Sequence, residues 1–182
     1  MACKQGIRKS MEASRAYYES LKKYDPFREL WKSLVERSSN DRSLRQLSNE
    51  EQRYFAVSLL EGEVYNGGFD QFFSNSSGDY YRLAVAGLED IGASSALGLV
   101  REAADTVFGR SGPPADRTER WQIMDSKTRR LSEVLTRYRQ RSRLEGLDKQ
   151  FWEDPDRLTD RLTAYAEERG LVAPFLINPE AS

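Results

Sequence analysis

Residues 63–73 read EVYNGGFDQFF, and the reading of the Gly67-Gly68 pair decides the fold. Adjacent glycines among large apolar side chains are either a backbone cradle for a ligand or the end of a helix. A phosphate cradle needs G-x-G-x-x-G or G-x-x-x-x-G-K-[ST] after a strand, and neither pattern is present. Helices commonly stop at a residue in the left-handed region, which glycine enters without steric cost. Asn66-Gly67-Gly68 therefore predicts a helix stop. Phe69, Phe72 and Phe73 recur beyond it at helical spacing and are expected to fold back onto the preceding helix.

That preceding helix is announced by Ser48-Asn49-Glu50-Glu51, a capping box. Its apolar residues are Tyr54, Phe55, Val57, Leu59, Leu60, Val64 and Tyr65. At about 100° per residue they cover most of the circumference, so the helix is expected to be central and buried. Glu63 lies near its end. A carboxylate there must be hydrogen-bonded or paired. The N–H groups of the glycine turn are its expected partners, and its expected role is structural.

Working outward, helix signals recur and strand signals are few. Asp25-Pro26 predicts a helix to about Arg37, with Phe27, Leu30, Trp31 and Leu34 on one face. A weaker helix before it offers Met11, Tyr18 and Leu21. Ser77-Gly78-Asp79 is read as the cap of a helix carrying Tyr81, Ala84, Leu88 and Ile91 and ended by Gly92. Ser94 or Ser95 opens the next, through Phe108. RSGPPAD (110–116) is a loop. Trp121, Met124, Thr128, Leu131, Leu135 and Tyr138 then form a seam at 3-4-3-4-3 spacing. Asp154-Pro155 starts a last helix lined by Leu158, Leu162 and Tyr165 and ended by Gly170. The expected fold is all-α, a single domain over 1–182 of seven to eight helices around a buried central one. Residues 1–47 hold the N-terminal helices, 48–109 the core, 117–170 the C-terminal helices and 171–182 a tail.

Composition narrows the chemistry. The 182 residues are 38% hydrophobic and 31% charged, which suits a globular domain. No apolar run approaches the roughly 20 residues of a membrane-spanning helix. MACKQGIRKS lacks the apolar core of a secretory signal, and Cys3 is the only cysteine, so a reducing cytoplasm is expected. The chain has no histidine, which excludes Ser-His-Asp and Cys-His catalysis and imidazole metal sites. No enzyme activity, catalytic residue, metal or cofactor is expected.

A net charge of −1 conceals an uneven distribution. Residues 48–91 hold 2 basic and 8 acidic side chains, whereas residues 110–147 hold 10 and 5. The acidic block offers Asp70, Asp79, Glu89 and Asp90 as a surface for a basic protein partner. Its bland alternative is a set of solvated helix faces. The basic run KTRRLSEVLTRYRQRSR (127–143) offers Arg129, Arg130, Arg137 and Arg141 to phosphates or to an acidic protein surface. No recognition-helix motif accompanies it, so direct nucleic-acid binding is disfavoured, and a solvated face is the simpler reading.

One resemblance sharpens these readings. Asn66, Gly67, Gly68, Phe69, Gln71, Phe72, Phe73 and Asn75, followed by Ile91-Gly92-Ala93, resemble the N-G-G-F-x-Q-[FY]-F-x-N signature and closing I-G-A of a bacterial family. It is a domain-of-unknown-function family named for a DNA-mimic protein. The resemblance is dense over 61–93 and extends over about 45–170. It implies an all-α fold, no catalysis, a homodimer, and carboxylates that stand in for DNA phosphates on a basic partner such as a regulator. An immunity or antitoxin role against a nuclease or other toxin is the related alternative. The near-neutral charge departs from the strongly acidic surface such mimicry calls for.

Overall fold

The computed structural model describes residues 24–39, 41, 43–125 and 131–172, with residues 131–137 described for their backbone alone. The weaker helix around Met11–Leu21 and the tail beyond 172 lie outside the described residues. Among the described residues, seven α-helices run in chain order. They are α1 (Pro26–Ser39), α2 (Asn49–Ser74), α3 (Tyr81–Asp90), α4 (Ser94–Phe108), α5 (Arg117–Met124), α6 (Leu131–Trp152) and α7 (Leu158–Glu168). A 3₁₀ turn, Ser76–Tyr80, joins α2 to α3, and a second one, Gly109–Ser111, follows α4. Among the described residues there is no strand, and the fold is all-α.

Helix α2 is the axis. It packs against α1, α3, α5, α6, α7 and the first 3₁₀ turn, while α4 joins through α3, α5 and α6. Its first turn is held by the capping box: Ser48 Oγ accepts from the Glu51 N–H at 3.2 Å, and Glu51 Oε2 accepts from the Ser48 N–H at 2.8 Å. Glu51 also receives Arg37, at 3.0 Å to Oε2 and 2.5 Å to Oε1, which ties α1 to this end. Tyr54, Phe55, Ala56, Val57, Leu60 and Val64 are buried. Tyr65, expected in the core, is 45% exposed, because the ring turns past the end of the buried face to lie edge-on against Phe151.

The other expected stops hold. Gly92 (φ +66) ends α3, with the Ala93 N–H reaching Leu88 O at 2.9 Å, and Gly170 (φ +67) ends α7, with the Leu171 N–H on Ala166 O at 2.8 Å. Two expectations need correction. The seam from Trp121 to Tyr138 is not one packed helix. Helix α5 stops at Met124, and both ends of the stripe are solvent-facing, Trp121 at 49% and Tyr138 at 73%. Pro155 does not start α7. Asp154 and Arg157 take left-handed backbone, and Asp154 Oδ1 accepts from the Leu158 N–H at 2.8 Å, which delays the helix to Leu158. The sequence reading also passed over Leu144, Leu147 and Phe151, which α6 buries.

Candidate functional site

The glycine pair does not terminate α2 but breaks it. Gly67 (φ −161) and Gly68 (φ +77, ψ −176) leave helical geometry, and the chain resumes a short helical segment that carries Phe69, Phe72 and Phe73. Only Gly68 has a positive φ. The three phenylalanines are fully buried. Phe69 stands edge-on to Phe151 and Phe73 to Phe108, at 5.5 and 5.2 Å between ring centres.

Breaking a buried helix exposes backbone donors that must be satisfied. The buried Asp148 of α6 supplies the acceptor, its Oδ1 taking the Phe69 N–H at 2.8 Å. Burial pushes the Asp148 carboxyl above its ordinary value, Asp70 and Glu145 add repulsion, and the Phe69 N–H opposes them. A Cβ at Gly68 would stand 2.7 Å from Asp148 Cγ. A Cβ at Gly67 would meet Gln71 Cδ at 2.9 Å.

Glu63 has different partners from those expected. Side chains, not turn N–H groups, surround it: Gln71 Nε2 (2.6 Å) and Asn75 Nδ2 (2.9 Å) donate to Oε2, and Ser77 Oγ (2.7 Å) donates to Oε1. The Phe69 N–H that follows the glycines serves Asp148 instead. Glu63 thus clamps the segment after the kink to the helix before it, and the polar members of the motif are the teeth of that clamp. Asn66 is exposed.

The far end of the segment is held by α5. Arg120 is fully buried, and its Nε donates to Phe73 O at 2.8 Å. Nη1 donates to Pro114 O (3.0 Å) and Ala115 O (2.9 Å). Nη2 donates to Asn75 O (3.0 Å) and to Asp79 Oδ1 (2.6 Å). Those five bonds use every donor of the guanidinium. Arg117 Nε and Trp121 Nε1 both donate to Ser74 O, at 3.0 and 2.6 Å. Cations at a helix C-terminus also complement its dipole. Gly78 makes room for this arrangement, since a Cβ there would lie 2.9 Å from Phe72 O and 3.0 Å from Arg120 Nε.

The acidic candidates separate into different environments. Asp79 does not cap α3. It sits half-buried in the 3₁₀ turn against Arg120. Glu89 and Asp90 end α3 side by side and exposed, but Arg101 pairs with Glu89, and Arg53 lies 2.5 Å from Asp90. The ten residues of α3 put about 15 Å between Asp79 and that pair. Asp70 is exposed beside the kink and makes no ion pair among the described residues. The basic candidates are also distributed. Arg129 and Arg130 lie outside the described residues, as does the side chain of Arg137. Arg141 is exposed, 3.4 Å from Glu145, and its neighbour Arg143 pairs with Glu102. Positive and negative side chains thus alternate over this surface.

A family model described as DMP19-like protein matches residues 45–169, which span the capping box, the kink, Arg120 and Asp148. The chain belongs to the DMP19-like family. DMP19 is a DNA-mimic family. No curated protein and no solved structure matches the chain. Among the described residues, no helix is long and apolar enough to cross a membrane.

Proposed function

We propose that this chain is a non-enzymatic protein-binding module that occupies a basic protein partner, in the manner of a DNA mimic. Membership of the DMP19-like family carries the reading. The use of the signature supports it. Glu63, Gln71, Asn75, Ser77, Asp79 and Arg120 spend their polar groups on one another and on the backbone, which suits a scaffold better than a reaction centre. Glu89, Asp90 and Asp70 are the exposed carboxylates through which the module meets its partner. The ion pairs of Glu89 and Asp90 do not block this role, because exposed pairs are worth at most about 1 kcal/mol and exchange readily for a partner's arginine. A cytoplasmic location and a homodimer belong to the same proposal.

Capture from the native host, followed by elution with duplex DNA, tests it. A DNA-mimic target is a basic protein that duplex DNA displaces, and Glu89→Lys with Asp90→Lys abolishes its capture without loss of helical signal. A captured protein indifferent to DNA and to both substitutions overturns the reading. The alternation of Glu89–Arg101, Asp90–Arg53 and Glu102–Arg143 favours one second reading, an immunity-type module matched to a single toxin. Stoichiometric inhibition of a captured nuclease or toxin distinguishes the two.

A further inference from the structure

The kink leaves an aromatic surface on the outside of α2. Tyr65 is 45% exposed and Trp152, the last residue of α6, is 47% exposed. Both are fixed rather than loose. The Tyr65 ring stands edge-on to Phe151, with 6.0 Å between centres, and the Trp152 indole donates to Val64 O at 2.9 Å. Because its N–H is already used, Trp152 offers a partner its ring. Preordered aromatic side chains lose little entropy on binding, and such anchors carry much of the energy of protein interfaces.

The charges around this surface identify what it fits. Glu61 lies one helical turn before Tyr65 on the same face of α2, and its Oε1 accepts from Thr159 Oγ1 at 2.9 Å. Asp154 sits two residues beyond Trp152, in the turn before α7, and Glu153 between them is exposed. Asp154 and Glu61 both raise the tyrosine's affinity for its proton, behind the effect of burial, which places their charges near the ring. Among the described residues, no lysine or arginine comes within 4.0 Å of Glu61, Glu153 or Asp154. Arg157, three residues beyond Asp154, is paired with Asp160. Asp79, Glu89 and Asp90, by contrast, each hold an arginine. Two aromatic rings bordered by three unneutralised carboxylates suit a cation, which gains from the ring faces and the carboxylates together.

We propose that the Tyr65–Trp152 surface, bordered by Glu61, Glu153 and Asp154, receives an arginine or lysine side chain of a basic protein partner. This rests on the protein-binding reading and adds a second contact surface to the Asp70, Glu89 and Asp90 carboxylates.

The test is a titration of the isotope-labelled full chain with an arginine nonapeptide, followed by NMR, with a glutamate nonapeptide as the control. The Trp152 indole signal and the amides of 61–66 and 152–154 should shift saturably with the arginine peptide and not with the control. Tyr65→Ser and the wholly exterior Glu153→Lys should each weaken binding by about tenfold with unchanged helical signal. Saturable shifts centred on Asp70 or Glu89-Asp90, insensitive to Glu153→Lys, overturn this surface but leave the protein-binding reading standing. No saturable response anywhere in the chain removes both. Light scattering covers the remaining occupant: a dimer that Tyr65→Ser or Glu153→Lys splits assigns the surface to a second copy of the chain and overturns the proposal.

Discussion

At the scale of single residues, Gly68 and Asp148 form a matched pair, and each makes a demand the other meets. Gly68 holds φ +77 with ψ −176, a combination open to glycine, and its missing Cβ is what lets Asp148 approach Phe69. Gly68→Ala should therefore destabilise by about 3 kcal/mol, strain and collision adding. Gly62→Ala, in the same helix with open space around its Cα, should instead stabilise by roughly 0.5–1 kcal/mol. Urea midpoints of the two variants check the contrast, and equal effects would refute the role given to Gly68. Asp148 carries a pH signature. Its folded carboxyl titrates above the ordinary value of 3.8, so the folded state binds the proton more tightly than the unfolded chain. Stability from this group is present below pH 3.8 and declines as the pH rises through the raised folded value. Asp148→Asn keeps the acceptor and removes the charge. The variant should gain on the parent protein as pH climbs from about 4 and hold a constant difference above the folded value. Asp148→Ala orphans the Phe69 N–H and should cost about 1–3 kcal/mol at low pH, where the parent carboxyl is protonated, and less as the pH rises. A difference between parent and Asn variant that is flat with pH would show that Asp148 does not titrate as described.

At the scale of elements, Arg120 is the join between the end of α2, the Ser76–Tyr80 turn, the 112–116 loop and α5. Removing one partner from a buried, paired charge leaves the others unsatisfied, at a cost of about 3–5 kcal/mol. Arg120→Met should show that loss. Arg120→Lys should recover little of it, since an ammonium cannot reach five acceptors arranged around a planar fork. Thermal melts of the two variants measure this, and a lysine variant as stable as the parent protein would sink the argument. The elements themselves were largely legible in the sequence, because their signals are local. Ser48 with Glu51, Asp25 before Pro26, Gly92 and Gly170 mark helix ends within four residues of their partners. Arg120 and Asp148 were not legible. Asp148 finds its partner 79 residues away and three of the five Arg120 bonds span 41 to 47 residues, and in sequence each is an ordinary charge on an amphipathic helix. The one local hint was Gly78, a glycine where the helix reading needed none.

At the scale of the whole molecule, the sequence showed that charge is unevenly placed along the chain but not how folding would rearrange it. Side chains of opposite sign meet in space: Arg53 reaches Asp90, Arg101 reaches Glu89 and Arg143 reaches Glu102. This is why the acidic block read from residues 48–91 does not become one acidic face, and why Glu61, Glu153 and Asp154, drawn from two separate stretches, stand without counter-charges. A molecule of net charge −1 with neutralised pairs projects little field beyond a Debye length, about 10 Å at 0.1 M salt. Its encounter with a basic partner should then be governed by short-range fit, not by long-range steering. The association rate should lie near the unsteered range of about 10⁵–10⁶ M⁻¹s⁻¹ and fall less than about tenfold between low and high salt. Charge reversal at Glu153 should act mainly on dissociation, because it removes a contact made only after docking. Stopped-flow association across a salt series, with the captured partner, measures both. A hundredfold fall with salt would mean that the field of the molecule outweighs its pairing, and that the strongly acidic mode of mimicry operates despite the arginines beside Glu89 and Asp90.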